Sequence, residues 1–192
     1  MRSVENDVNR TDFTVIRARS VKAVDAAKIS RVHMSKDAIP TTTSKGTVSV
    51  LARLEIFDRN QRHAVLATAW NNRPHVSLVA FALTPDRQGL LFATPKNTTK
   101  YQNIIRNSRV SLAIDNRENS TEDYLGAEAF TLFGKAREVR QKAARTTLSA
   151  ILTLKHPALK EFIEAPTTAL ILVKLERCLH IGKFQTISEW KI

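Results

Sequence analysis

Cysteine occurs once in the chain, at position 178, so the sequence supplies neither an internal disulfide nor a cysteine-built metal cluster. Glycine is scarce too. The five glycines, Gly46, Gly89, Gly126, Gly134 and Gly182, are too scattered for a GxGxxG turn or a Walker loop, which removes two common nucleotide-binding devices. The histidines, at positions 33, 63, 75, 156 and 180, show no HExxH-type spacing, and no nucleophile elbow is present. No apolar run reaches the length of a membrane span, and no hydrophobic signal core opens the chain. A cytoplasmic protein with no metal site and no membrane contact is the expectation.

What the chain does have is positive charge. Thirty Lys and Arg face eighteen Asp and Glu, a net of +12. Residues 1–46 hold nine basic and five acidic residues, a net of +4, which leaves +8 for the other 146 residues. No block of like charges forms, so the excess is distributed and a nucleic-acid footprint is not expected. Apolar residues make up 43% of 192, enough for one globular core. The stretch 1–45 mixes isolated apolar residues with charges and ends in a Thr/Ser run, so it reads as a flexible N-terminal extension before a domain over 46–192.

Periodicity gives the element order. Val50, Leu51, Leu54 and Phe57 recur at helical spacing within Thr47 to Asp58. HAVLATAW, from His63, is nearly continuous apolar sequence and reads as a strand buried on both faces. Asn71 to Pro74 is turn chemistry, and His75 to Thr84 is a second strand. After a polar loop over Arg117 to Gly126, Ala127 to Val139 is a long strand whose Gly134 marks a bulge or sharp bend. Gln141 to Lys155 is helical, Pro157 begins a further helical turn, and strands follow over Thr168 to Ile181 and Phe184 to Ile192. Strands with short turns and inserted helices describe a small α+β barrel.

The stretch from Leu90 to Asn116 carries the functional signal. An apolar strand ends near Thr94 because Pro95 cannot continue a central ladder. Asn97 or Thr98 then caps a short helix with Tyr101, Ile104 and Ile105 on one face, and Val110, Leu112 and Ile114 alternate in the next strand. The helix start gathers Thr98, Thr99 and Lys100. Free backbone N–H groups, hydroxyls and an ammonium at one helix head suit an anion such as phosphate, and an ordinary capped helix with a solvated lysine is the alternative.

The run PHVSLVAFALTPDRQGLLFATPKNTTKYQNIIRNSRVSL resembles the core signature of the pyridoxamine 5'-phosphate oxidase-like FMN-binding split-barrel family. Pro74, Val76 and Ser77 match its Pro-x-Val-Ser strand, Phe92 and Thr94 its Phe-x-Thr strand end, and Thr98, Thr99, Lys100, Asn103 and Ile104 its Ser/Thr-Lys and Asn-Ile steps. The match is close from His63 to Asn116. The resemblance implies an α+β fold, a mainly antiparallel six- to seven-stranded split β-barrel with short flanking helices. It also implies FMN at a homodimer interface and oxidoreductase chemistry on a small molecule. Thr94, Thr98, Thr99 and Lys100 would contact phosphate, Ser77, Val79, Ala80 and Phe81 would line the ring, and Ala93 and Asn103 would complete the set. Trp190, with Phe184 and Gln185, would reach the flavin from the partner subunit. Leu78 to Ala82 is apolar where pyridoxamine-phosphate oxidases carry Arg and Lys, and the chain ends SEWKI without their basic motif, so that substrate is not expected. The alternative is a non-catalytic flavin-binding electron carrier or sensor on the same barrel; relatives of this barrel also bind a deazaflavin or haem, and for haem His180 or His75 would be the ligand. No side chain stands out as acid or base.

Overall fold

The computed structural model describes residues 50–182 and 186–191. The expected extension over 1–45, together with Phe184 and Gln185, lies outside the described residues.

Helix α1 (Val50–Asn60) leads into β1 (His63–Trp70), β2 (Arg73–Leu83) and β3 (Gly89–Pro95). Helix α2 (Thr99–Arg106) precedes β4 (Arg109–Asp115), the short α3 (Asp123–Gly126) and β5 (Ala129–Glu138). Helix α4 (Lys142–Lys155), a 3-10 turn over Pro157–Leu159 and α5 (Lys160–Glu164) return the chain to β6 (Thr168–Gly182) and β7 (Thr186–Lys191). The order in the sheet is β3-β2-β1-β4-β5-β6-β7, and β3 also pairs with β6. Six antiparallel strands therefore close on themselves, with β7 added outside the closure, which is the expected split-barrel fold.

Local chemistry explains the joints. Trp70 faces Arg73 across a two-residue turn in which Asn71 (φ 48°) and Asn72 (φ 56°) are both left-handed. That is the turn type whose twist matches paired strands, and asparagine tolerates its backbone better than most residues. Between β5 and β6 the register slips at Phe133/Gly134, since Phe133 faces Arg177 and Gly134 faces Leu175. A Cβ on Gly134 would stand 2.3 Å from the Lys174 carbonyl oxygen, so only glycine fits. The slip marks where the other edge of β6 changes partner: β3 pairs up to Lys174, and β7 begins at Arg177.

Alternate residues fill the barrel. Leu66, Phe81, Phe92, Leu112, Phe130 and Leu132 are fully buried in one core, which Leu54 and Phe57 of α1 join. A second, smaller core forms outside β2 and β3, where Ala82, Leu152, Ile163 and Leu170 meet under α4 and α5. The two cores are joined by Asp58, whose Oδ1 accepts from Lys155 Nζ at 2.6 Å and from Leu83 N at 3.0 Å. Strand β1 departs from expectation. Its inward residues are buried, but Val65, Ala67 and Ala69 are only half-buried, because within one chain no layer fully covers the outer face. On β2 the outward Val76 and Leu78 are 61% and 63% exposed.

Candidate functional site

Helix α2 closes one end of the barrel, and its head is where the predicted anion site falls. Strand β3 stops at Pro95, and Lys96 N bonds to Thr167 O at 3.0 Å as the chain turns away. Thr98 takes an extended backbone (φ −87°, ψ 152°) and caps the helix, accepting from Tyr101 N at 3.4 Å. Its hydroxyl donates to Pro95 O at 2.9 Å and stands 3.0 Å from the hydroxyl of the buried Thr94. On the inner side of α2, Asn103 Nδ2 donates to Thr68 Oγ1 at 3.2 Å, with both side chains buried. The backbone N–H groups of Thr99 and Lys100 sit at the helix head, where no intrahelical acceptor exists.

Charge at this end is unevenly spent. Glu138, at the end of β5, accepts from Tyr101 Oη at 3.1 Å and Arg140 Nε at 3.0 Å, with Lys96 Nζ at 3.6 Å. Burial works to raise its carboxyl, but the bonds from Arg140 and Tyr101 and the nearby Lys96 outweigh it and hold the group below its ordinary value. Burial first and the Glu138 hydrogen bond second raise Tyr101, with Arg140 working against them, so the phenol stays protonated. One carboxylate is thus shared between Lys96 and Arg140. Lys100, half-buried, makes no ion pair or hydrogen bond among the described residues. A cleft of about 450 Å³ lies beside the helix start, lined by Lys96, Tyr101, Glu138, Arg140, Arg145 and Thr168 among others.

The remaining predicted residues divide by face. Ser77, Val79 and Phe81 point inward, the side chains of Val79 and Phe81 belong to the barrel core, and Phe81 O is already taken by His156 Nε2 at 2.8 Å. Ser77 Oγ is buried and has no hydrogen-bond partner among the described residues. An orphaned hydroxyl of this kind fits a site that takes a further polar group. Ala80 is outward and half-buried, and Ala93 packs on the second core. Trp190 pairs with Cys178 on β7 and packs against the barrel core, away from the α2 head of its own chain. The structure therefore gathers Thr94, Thr98, Thr99, Lys100 and Asn103, and separates Trp190 from them.

Three contributors escaped the sequence reading. Thr68 was the one inward polar residue in an apolar strand, a usable signal. Glu138 gave none, since its partners are distant in the chain. The third is Glu128, held by Arg53 Nε at 2.6 Å and by His180 Nε2 at 2.8 Å. His180 also stacks on Phe130, with ring centroids 4.8 Å apart. His75 lies half-buried on β2. No group of three or more His, Cys, Asp or Glu is placed to hold a metal among the described residues.

Comparison with known proteins gives this geometry a context. A family model described as pyridoxamine 5'-phosphate oxidase matches residues 45–181. A Schizosaccharomyces pombe protein named as a pyridoxamine 5'-phosphate oxidase homolog is 25% identical over 163 residues, covering 68% of this chain and 85% of that protein. Among solved structures, a heme binding protein from Mycobacterium smegmatis superposes with a TM-score of 0.61 at 18% identity over 71% of this chain. The chain spans 56% of that protein's length. A FAD-binding protein from Mesorhizobium loti gives 0.56 at 15% identity, covering 69% of this chain and 94% of that one. At these identities the structures speak for the fold.

Proposed function

This chain belongs to the pyridoxamine 5'-phosphate oxidase family, and from that premise we propose that it is an FMN-binding flavoprotein acting as an oxidoreductase on a small molecule. The observation that carries the reading is Lys100, a half-buried ammonium at a helix head where the local acid, Glu138, is already taken by Lys96, Tyr101 and Arg140. An unneutralised cation beside free N–H groups favours a phosphate, and Thr98 and Thr99 add hydroxyls. The buried Ser77 hydroxyl on β2, without a hydrogen-bond partner among the described residues, suits a ligand with a further polar group. A bound flavin would supply the redox chemistry, accepting or releasing a hydride or electrons. The residues themselves hold the phosphate and position the ring, while Tyr101, its one proton given to Glu138, fixes that carboxylate beside the cleft.

The oxidation of pyridoxamine phosphate is not proposed, since Leu78 to Ala82 lacks the expected Arg and Lys. The exposed Val76 and Leu78 support a homodimer, with the outer faces of β1, β2 and β4 packed together and Trp190 of one subunit reaching the flavin of the other. A haem in place of flavin is the less favoured reading, because His180 is already bound to Glu128. The fully buried Cys178, its thiol pushed up to about 12 by burial, suits a reducing cytoplasm. Among the described residues no helix is long and apolar enough to cross a membrane.

The deciding experiment is to release the bound cofactor from purified protein by denaturation and measure its mass and spectrum. FMN is the expected product, with turnover by a reduced nicotinamide donor marking an enzyme and its lack a carrier. Release of haem, or protein that neither carries FMN nor binds it in titration, overturns the reading.

A further inference from the structure

At the far end of α2 from Lys100, the helix meets the β1–β2 hairpin around an exposed indole. Trp70, the last residue of β1, is 38% exposed, and its cross-strand partner is Arg73. The guanidinium of Arg106 stands 5.8 Å from the Trp70 ring centroid. A cleft of about 420 Å³ opens here, lined by Ala69, Trp70, Asn71, Asn72, Arg106 and Asn107.

A surface cation–π pair alone is common and needs no ligand. Three further observations separate this place from that case. The first is charge: from Arg59 to Ile114 the chain has eight Lys or Arg and one acid, Asp86. Asp86 is occupied in the β2–β3 turn by Thr84 Oγ1 and Gln88 N. Arg87 finds its carboxylate outside this stretch, in Glu55, but Arg73, Arg106 and Arg109 have no carboxylate partner among the described residues. The second is that Asn107 holds the cleft's shape, donating to Ala69 O at 3.0 Å and accepting from Arg109 N at 3.1 Å. The third is that Asn71 and Asn72, fixed in left-handed backbone, carry exposed side-chain amides that bond to nothing among the described residues.

An open aromatic face, uncompensated guanidinium forks and unused amides are the groups that receive a base, a phosphate and a base edge in turn. We propose that this cleft is a nucleotide-binding site, in which a nucleobase stacks on Trp70, Arg73 and Arg106 hold the adjoining phosphate, and the Asn71 or Asn72 amide meets the base edge. The volume admits one base with its phosphate. That unit comes either from a free nucleotide or from a single-stranded nucleic acid. The site is separate from the α2 head, since Lys100 and Arg106 are six residues apart, about 9 Å along the helix axis. It does not depend on the flavin reading.

The test titrates the full chain with ATP and, separately, with a 12-nucleotide single-stranded oligoadenylate, following tryptophan emission and calorimetric heat. Saturable binding is expected, weakened about tenfold or more by Trp70→Ala, which removes a stacking face. Arg73→Ala and Arg106→Ala should each weaken it by about tenfold through loss of a phosphate contact. Trp70→Phe keeps a ring and should bind by calorimetry while the emission change is lost. Binding of ATP identifies a free nucleotide as the source. Binding of the oligonucleotide alone, with affinity falling linearly in log salt, identifies a strand. The proposal is overturned if neither ligand binds at millimolar concentration, if Trp70→Ala and Arg106→Ala bind as the parent does, or if Lys100→Ala abolishes binding that Trp70→Ala retains.

Discussion

Asn103 Nδ2 donates to Thr68 Oγ1 at 3.2 Å with both side chains buried, tying helix α2 to strand β1 directly behind Thr94, Thr98 and Lys100. Without Asn103 the Thr68 hydroxyl keeps only a long bond to His75 O at 3.4 Å. Asn103→Ala should therefore cost about 1–3 kcal/mol of stability, the penalty for a buried polar group left poorly paired. It should also weaken FMN binding, because the helix head loses its anchor. Chemical denaturation and flavin titration of the same variant measure both effects, and a variant as stable as the parent would show that the bond positions nothing.

Lys100→Ala separates binding from folding at the same helix. The ammonium makes no ion pair or hydrogen bond among the described residues, so stability should change by less than about 0.5 kcal/mol. FMN affinity should fall about tenfold to a hundredfold, the range for one charge-assisted hydrogen bond. Lys100→Arg should recover part of it. An unchanged dissociation constant for FMN would remove the phosphate assignment.

The contrast between these two residues says what was legible in the sequence. A cap at Asn97 or Thr98, the helix after it and the bend at Gly134 were readable because each follows from its own neighbours: a short polar side chain before an amphipathic turn, a glycine inside a strand. The closing pair β3–β6 was not, since it joins residues as distant as Gly89 and Lys174 and leaves no local trace. The same holds for Glu138, which sets the charge balance at the site through Tyr101, 37 positions away. HAVLATAW misled in a useful way. Its composition is that of a strand covered on both sides, yet one chain leaves the outer face half open.

That open face leads to a prediction about assembly. Leu78, 63% exposed, sits beside Val65 and Ala113 on the outer surface of β2, β1 and β4, where an isolated subunit gains nothing from apolar side chains. Leu78→Glu should shift the protein from a dimer to a monomer of 21.6 kDa in light scattering. Its unfolding midpoint at low concentration should stay near that of the dissociated parent, because Leu78 packs little within its own chain. A parent that is already monomeric at micromolar concentration would contradict the shared-site arrangement.

His156 sets a pH dependence that needs neither ligand nor partner. Its ring is buried at the end of α4, where Nε2 donates to Phe81 O at 2.8 Å and so fixes the tautomer. Burial lowers its affinity for a second proton. The Phe81 carbonyl, next in size, works against that, while Lys155, Arg62 and His63 reinforce it, so the folded value lies below the ordinary 6.5. The folded chain therefore takes up a proton less readily than the unfolded one. Above pH 6.5 both states are neutral at this position and its contribution is complete. As pH falls below 6.5 the unfolded state gains protons first, and stability declines until the folded value is passed. Glu128 adds a loss in the same direction at lower pH. Burial works to raise its carboxyl, the bonds from Arg53 and His180 outweigh that and hold it below 4.5, and its contribution goes as pH drops beneath that figure. Denaturation midpoints should thus be level above the ordinary 6.5 and begin to fall as pH drops below it. His156→Gln keeps a donor for Phe81 O but cannot titrate, so it should flatten that first decline while leaving the lower, carboxylate-driven one. Identical pH profiles for parent and variant would mean that the acid sensitivity in this range arises elsewhere.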